Sequence, residues 1–327
     1  MVADDSSTQV EAGPDPVPDR SRRPDGATQD AILAVDLGGS QFSAGLVTAR
    51  GELVGRSHAP VQRDVGPESQ YTGLVGVITE MMVHATEQRV RIRGVGVGAP
   101  GATAKNLEAV SPLHIPEWRD FPLRRRLAEL TGLAVHGDHD AKALALAEGW
   151  LGAAQGQPNF CAMTVSTGIG GGVVLDGELL DGDSGHAGQV GHIIVEPGGR
   201  RCRCGAQGCV EAEASGWAIE ASTGRPPTEP TYEIMQRTGM LVGRAAASIC
   251  NSLDLSLVVI GGAVALGFGA TFFHSAQVAL DDHAHLSYSR GARITPSRLA
   301  DSGPLLGAGA LGWRGIRRAR RRPDRPT

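Results

Sequence analysis

The apolar positions of this chain change their period several times, and each change marks an element. Residues 31–35 read Ala-Ile-Leu-Ala-Val and end in Asp36 and Gly38-Gly39, the pattern of a buried strand entering a turn. Residues 42–47 and 51–55 continue as a glycine-turned meander. From Thr72 to Gln88 the apolar spacing becomes helical, and residues 95–97 return to a buried strand that runs into Gly98-Ala99-Pro100-Gly101. The pattern then predicts a short amphipathic helix over 121–131 and a strand over 133–135. A charged turn at 136–140 leads into an Ala/Leu helix reaching about Gly152. A strand at 161–166 opens the glycine run 168–172, and a hairpin follows. Beyond a cysteine-rich loop come helices between about 215 and 249, then the strand 257–260 and Gly261-Gly262. Strand, glycine turn and helix recur in both halves, which predicts a duplicated α/β architecture with a cleft between the halves.

Length and composition narrow the class. A chain of 327 residues favours two packed domains. With 41% hydrophobic and 20% charged residues it reads as a folded, non-membrane chain. No apolar run approaches the ~18 to 20 residues of a spanning helix, and no signal-peptide core is recognisable near Met1. The expectation is a cytoplasmic chain without a membrane partner. A net charge of -4 counts against nucleic acid as the main partner, and 46 glycines with 4% aromatics suit an enzyme built on phosphate-binding turns. Lysine occurs only at Lys105 and Lys142; the remaining basic residues are arginine, the mark of a high-GC genome. Residues 1–29 lack apolar periodicity and read as a disordered extension. Residues 314–327 read as a short solvated basic tail.

Three constellations carry chemistry. The first is a set of glycine turns: Asp36-Leu37-Gly38-Gly39-Ser40, Ser166-Thr167-Gly168-Ile169-Gly170-Gly171-Gly172 and Ile260-Gly261-Gly262-Ala263. Glycine after a strand lets backbone N–H groups approach a phosphate closely. One such turn alone is as well explained as a tight turn; three in this order point to a nucleotide. None is followed by the Lys-Ser/Thr of a Walker A loop. The second is His192 with Cys202, Cys204 and Cys209, four borderline or soft donors within 18 residues, which suits a closed, structural zinc site. Cys161 and Cys250 sit in apolar contexts and read as packing. The third is His136-Gly137-Asp138-His139-Asp140-Ala141-Lys142, where a strand ends and a helix begins. Acids at that place can serve chemistry or can simply cap the helix, and spacing alone favours capping.

Taken in order, these turns, the Asp-centred corner and the segment Ala187-Gly188-Gln189-Val190-Gly191-His192 with Cys-x-Cys-Gly-x-x-Gly-Cys-x-Glu resemble the ROK family (repressors, open reading frames, sugar kinases). The resemblance covers nearly all of residues 31–313. It implies the two-lobed actin-like ATPase (ribonuclease H-like) fold of sugar kinases. One lobe would span 30–139, and a second, 140–300, would carry the zinc loop 192–209; a helix over 301–313 would return to the first lobe. Asp36, Gly38, Gly39 and Ser40 would form the first phosphate turn, Thr167, Gly168 and Gly170 the second, with Gly261 and Gly262 at the nucleotide. Asp140 aligns with the family's catalytic aspartate. Sugar contacts map to His139, Asp140, Gln189, His192 and Glu211, with His192 shared between zinc and substrate. Implied cofactors are ATP, Mg2+ and structural Zn2+; the implied partner is a small polyol, and relatives are commonly homodimers or homotetramers.

Two positions depart from the family pattern at the sugar, His139 for Asn and Gln189 for Glu, and Lys142 replaces a second Asn. Such changes alter which hydroxyls a pocket can satisfy. They are compatible with a modified hexose or a C7 cyclitol of the valiolone or valienone type, as in antibiotic and sugar-mimic pathways, giving a 7-phosphate. They are equally compatible with tolerated drift in a glucokinase making glucose 6-phosphate. A sugar-sensing regulator is the reading from another class, and the roughly 30 residues before Ala31 carry too few apolar positions for a DNA-binding domain. Gln41, where the family often has Lys, keeps a non-catalytic ligand binder in view.

Overall fold

A computed structural model describes residues 29–62, 64–112 and 114–321. The expected disordered extension therefore lies outside the described residues apart from Gln29. The first half contains β1 (Gln29–Leu37), β2 (Gln41–Thr48), β3 (Leu53–Pro60), α1 (Pro67–Glu87), β4 (Val90–Ala99), β5 (Ala102–Thr103), β6 (Val110–Ser111), α2 (Leu123–Thr131) and β7 (Val135–His139). The second contains α3 (Asp140–Leu151), β8 (Phe160–Val165), β9 (Ile169–Leu175), β10 (Glu178–Leu179), α4 (Val210–Ala214), α5 (Gly216–Thr223), α6 (Tyr232–Leu253), β11 (Leu257–Gly261), α7 (Ala263–His283) and β12 (Arg293–Pro296). A final helix, α8, spans Gly303–Arg321.

The two halves repeat one topology. The first sheet runs β3-β2-β1-β4-β7 and the second β10-β9-β8-β11-β12. In each, an antiparallel meander lies beside two parallel strands: β1 pairs with β2 antiparallel and with β4 parallel, and β8 pairs with β9 antiparallel and with β11 parallel. The central strands are apolar without alternation because both of their faces are covered. Residues Ala31 to Val35 are fully buried, with α1 on one face and α8 crossing β1 and β4 on the other. A Pro at the start of α1 and a left-handed Gly132 after α2 set those helix ends.

Two expectations change here. The helix expected over 301–313 continues to Arg321, so described residues of the basic tail are helical; Arg314 and Arg318 bind Asp181, which gives that turn a reason to persist. By length and composition α7 could cross a membrane, although its apolar run is broken by Gly, Thr and Ser. Instead it packs against α6, with Val264, Phe268, Phe272, Ala276 and Leu280 buried.

Candidate active site

The ends of the parallel strands meet in a cleft of about 1170 Å³ between the two sheets. Asp36 lies at the end of β1 and Asp140 is the first residue of α3, directly after β7. Gly98 on β4 stands between them. A Cβ there would lie 3.7 Å from Asp36 Oδ1 and 3.8 Å from the Asp140 Cα, so the bare backbone leaves room for both acids. No cation among the described residues pairs with either. Burial raises the Asp36 pKa to about 7, with the Asp140 charge adding to it. Burial likewise raises that of Asp140, partly offset by the Ala141 N–H that donates to Oδ1 at 2.7 Å. Two unpaired acids in a shared crevice favour binding of a cation, and this donor set fits a hard, oxygen-seeking ion such as Mg2+.

The corner also serves the start of α3: Asp140 Oδ1 takes the Ala141 N–H of the first turn, while Asp138 accepts from the His139 N–H at 2.9 Å and pairs with Lys142 at 2.7 Å.

The glycine turns surround the acids. A Cβ on Gly39 would lie 3.8 Å from the Thr167 Oγ1, so the first and second turns face each other. Gly262 has φ +97°, and a Cβ there would run into the Val165 carbonyl; it introduces the long helix α7, whose N-terminus borders the cleft. Gly38, Thr167, Gly168, Gly170 and Gly261 line the cleft too. Ser40 is exposed at the rim, its carbonyl bound to the Val61 N–H at 2.9 Å.

On the other side of Asp140 lie the residues expected at a sugar. His139 is buried, with Nε2 3.2 Å from Thr103 Oγ1 and 3.3 Å from Gln189 Nε2. An amide NH2 only donates, so Nε2 accepts and the ring proton resides on Nδ1. Burial lowers the His139 pKa to about 4, which keeps the ring neutral. Glu211 Oε2 accepts the Ile169 N–H at 3.1 Å and abuts Gly168, which joins the cysteine loop to the second turn. His192 lines the cleft from the same loop.

The ligand atoms of His192, Cys202, Cys204 and Cys209 lie within 4.8 Å of one another. Two of the edges, Cys204 Sγ to Cys209 Sγ and Cys202 Sγ to His192 Nδ1, are 3.7 Å. A tetrahedron built from metal–sulfur bonds of about 2.3 Å has edges of about 3.8 Å, so the geometry fits a bound ion. Buried Glu213 accepts from Arg200 and Arg237 at 3.1 and 2.8 Å and anchors the loop base.

The sequence reads His186 as a loop residue that could reach the pocket, and it joins the site: its ring centre is 5.3 Å from that of His139. Its Nε2 donates to the Thr103 carbonyl at 2.9 Å, which leaves Nδ1 to accept from Ser184 at 3.2 Å. Thr103, His114 and Arg203 line the cleft without belonging to any motif. Lys142, by contrast, points away from the cleft. It is 1% exposed and ties α3 to the 181–185 loop through Asp138, Asp181 and the Gly185 carbonyl.

Comparison with known proteins bears on the family and the fold. The chain matches the ROK family model over residues 32–314. It is 30% identical to the glucokinase of Thermotoga maritima over 312 residues, covering 86% of this chain and 96% of that one. It is 35% identical to the N-acetylmannosamine kinase of Shigella flexneri over 254 residues, covering 73% and 84%. A crystal structure of the ROK family glucokinase from Streptomyces griseus, in complex with glucose and AMPPNP, superposes with a TM-score of 0.72 at 25% identity, covering 87% of this chain and 100% of that one. The doubled sheet is thus the two-lobed actin-like ATPase fold, and the chain belongs to the ROK family.

Proposed function

We propose that this chain is an ATP-dependent kinase that transfers the γ-phosphate to the primary hydroxyl of a hexose-like polyol. The observation that carries the reading is the position of Asp140, facing Asp36 across Gly98 with phosphate-type glycine turns on one side and the His139–Gln189 pair on the other. Relatives that are themselves a glucokinase and an N-acetylmannosamine kinase support it.

Phosphoryl transfer needs positioning and charge neutralisation more than covalent help. Asp140 Oδ takes the proton of the acceptor hydroxyl as its oxygen attacks the γ-phosphorus, and the bond to the β–γ bridging oxygen breaks to release ADP. A raised pKa suits this role, because it brings the proton affinity of the carboxylate closer to working pH. N–H groups of the Gly38-Gly39 and Thr167-Gly168 turns and of the α7 N-terminus hold phosphate oxygens. Mg2+ bound at Asp36, directly or through water, would supply charge neutralisation on the phosphates. Zinc is the ion that best suits one imidazole and three thiolates; with Nδ1 facing the thiolates, Nε2 of His192 is left for a substrate hydroxyl.

Asp140→Asn tests the base. The kcat for phosphorylated product should fall by ~10² to 10⁴. Activity within about threefold of the parent would remove Asp140 from that role.

For the acceptor, the contact between His139 and Gln189 is informative. The two departures from the family pattern form one hydrogen-bonded unit, so they change the pocket together. Gln189 spends a donor on His139 and keeps its carbonyl to accept; a carboxylate at 189 could only accept. This is compatible with a C7 cyclitol of the valiolone or valienone type, or a modified hexose, and equally with glucose. Glucose is the alternative, supported by the relatives' names. Competing glucose against valiolone and valienone in a coupled ATP assay decides between them. A cyclitol preference of tenfold or more, about 1.4 kcal/mol in the transition state, supports the cyclitol reading; a preference for glucose assigns the chain as a glucokinase.

A further inference from the structure

A second cavity, of about 520 Å³, opens beyond the Thr103–His186 contact, behind the acceptor end of the cleft. Its volume lies within the range of small-molecule sites. Three parts of the fold enclose it: the 104–108 segment with Arg124 and β7, the 181–186 loop, and the later turns of α8.

The phosphoryl chemistry leaves the charge of this cavity unexplained. Lys142, Arg314 and Arg318 converge on one carboxylate, Asp181, at 3.5, 3.1 and 2.7 Å, and Lys142 also holds Asp138. Lys105, whose Cγ lies beside Gly185 of the 181–186 loop, makes no ion pair among the described residues, and Arg124 meets Glu108 at 3.5 Å. Five cations thus line or back a cavity that contains three carboxylates, Asp138, Asp181 and Glu108. His136, on the β7 wall, is held neutral by burial and by the nearby Arg124. Guanidinium forks, together with an ammonium that has no ion pair among the described residues, suit a phosphate dianion.

We propose that this cavity is a second ligand site, for inorganic phosphate or a small phosphate monoester, separate from the phosphoryl-transfer cleft and coupled to it. The coupling is structural. Thr103 and His186 border both spaces, and Asp138, on the cavity wall, is two residues from Asp140. A ligand bridging the 104–108 segment, the 181–186 loop and α8 contacts both halves of the molecule and therefore favours the lobe arrangement that brings them together.

The test is isothermal titration of the full chain with inorganic phosphate and, separately, with glucose 6-phosphate. AMPPNP and glucose are present at saturation to fill the cleft. Binding of either anion beyond a chloride control of equal ionic strength is expected. Lys105→Glu and Arg318→Ala should each weaken it by about tenfold or more, with the parent melting temperature in chloride retained in Lys105→Glu. No binding beyond the chloride control, or unchanged affinity in both variants, overturns the proposal. The readout needs no turnover: a chain that binds phosphate here but phosphorylates nothing would refute the kinase reading and leave this one standing.

Discussion

His139 shows how one side chain can be informative in two ways. Its identity departs from the family pattern, and its setting, between Thr103, Gln189 and His186, keeps it neutral with a pKa of about 4. In the unfolded chain the same imidazole titrates near 6.5. Between those values the unfolded state holds a proton that the folded state does not. Stability therefore falls as pH drops from about 6.5 towards 4, by as much as about 3 kcal/mol. His139→Asn should flatten that part of the profile in urea titrations at a series of pH values; an unchanged slope would mean that the ring is solvated. Much of this neighbourhood was legible beforehand: Asp36, Asp140, His139, Gln189, His192 and Glu211 all border the cleft. Thr103 and His114 were not, because each reaches the site through a loop or a two-residue strand that carries no periodicity, and His186 read only as a loop residue within possible reach. Capping and chemistry require the same residue types at this corner, and Asp140 shows both a helix contact, to the Ala141 N–H, and a place on the cleft.

At the level of elements, the cysteine loop was the most readable part of the chain, because donor chemistry and spacing constrain each other. Its consequence for the cleft was less evident. Glu211 holds the Ile169 N–H, the backbone N–H of Gly216 donates to the Ser166 carbonyl at 2.8 Å, and that of Trp217 to the Thr167 carbonyl at 3.2 Å. The loop and the helices after it are thus stitched to the second phosphate turn. If the proposed zinc is bound and His192 holds the acceptor, a chelator should lower the melting temperature and raise the acceptor KM by about tenfold, the loss of one good hydrogen bond. Re-addition of zinc should restore both. A melting curve and KM indifferent to chelation would make the four side chains a packing cluster instead. The glycine turns were readable as turns, but their mutual approach was not: that Gly39 faces Thr167, or that Gly262 sits under Val165, follows from how the sheets are set against each other.

Across the whole molecule, the recurrence of strand, turn and helix announced two similar halves, and the strand orders β3-β2-β1-β4-β7 and β10-β9-β8-β11-β12 bear this out. The extent of α8 was harder to read, because its later turns are arginine-rich and look like a solvated tail. What holds the helix is close approach. Gly307 lies against α3, where a Cβ would come within 2.8 Å of the Ala143 carbonyl; Gly312 lies against Ile32, and Gly96 on β4 meets the Ala308 carbonyl. Gly307→Ala should therefore destabilise. Overpacking costs about 1 to 3 kcal/mol, of which helix propensity returns up to about 1. Gly303→Ala, whose Cβ would meet only Leu299 at 3.4 Å, should be neutral or stabilising. Chemical denaturation of both variants checks the contrast, and equal effects would argue against the tight seam.

That seam bears on how the chain is made. The sheet of β1, β2, β3, β4 and β7 emerges from the ribosome early, yet one of its faces stays bare until residues 303–321 have been translated. The first half cannot finish folding in the order in which it is synthesised, and its uncovered face is a surface for chaperones to shield until α8 arrives.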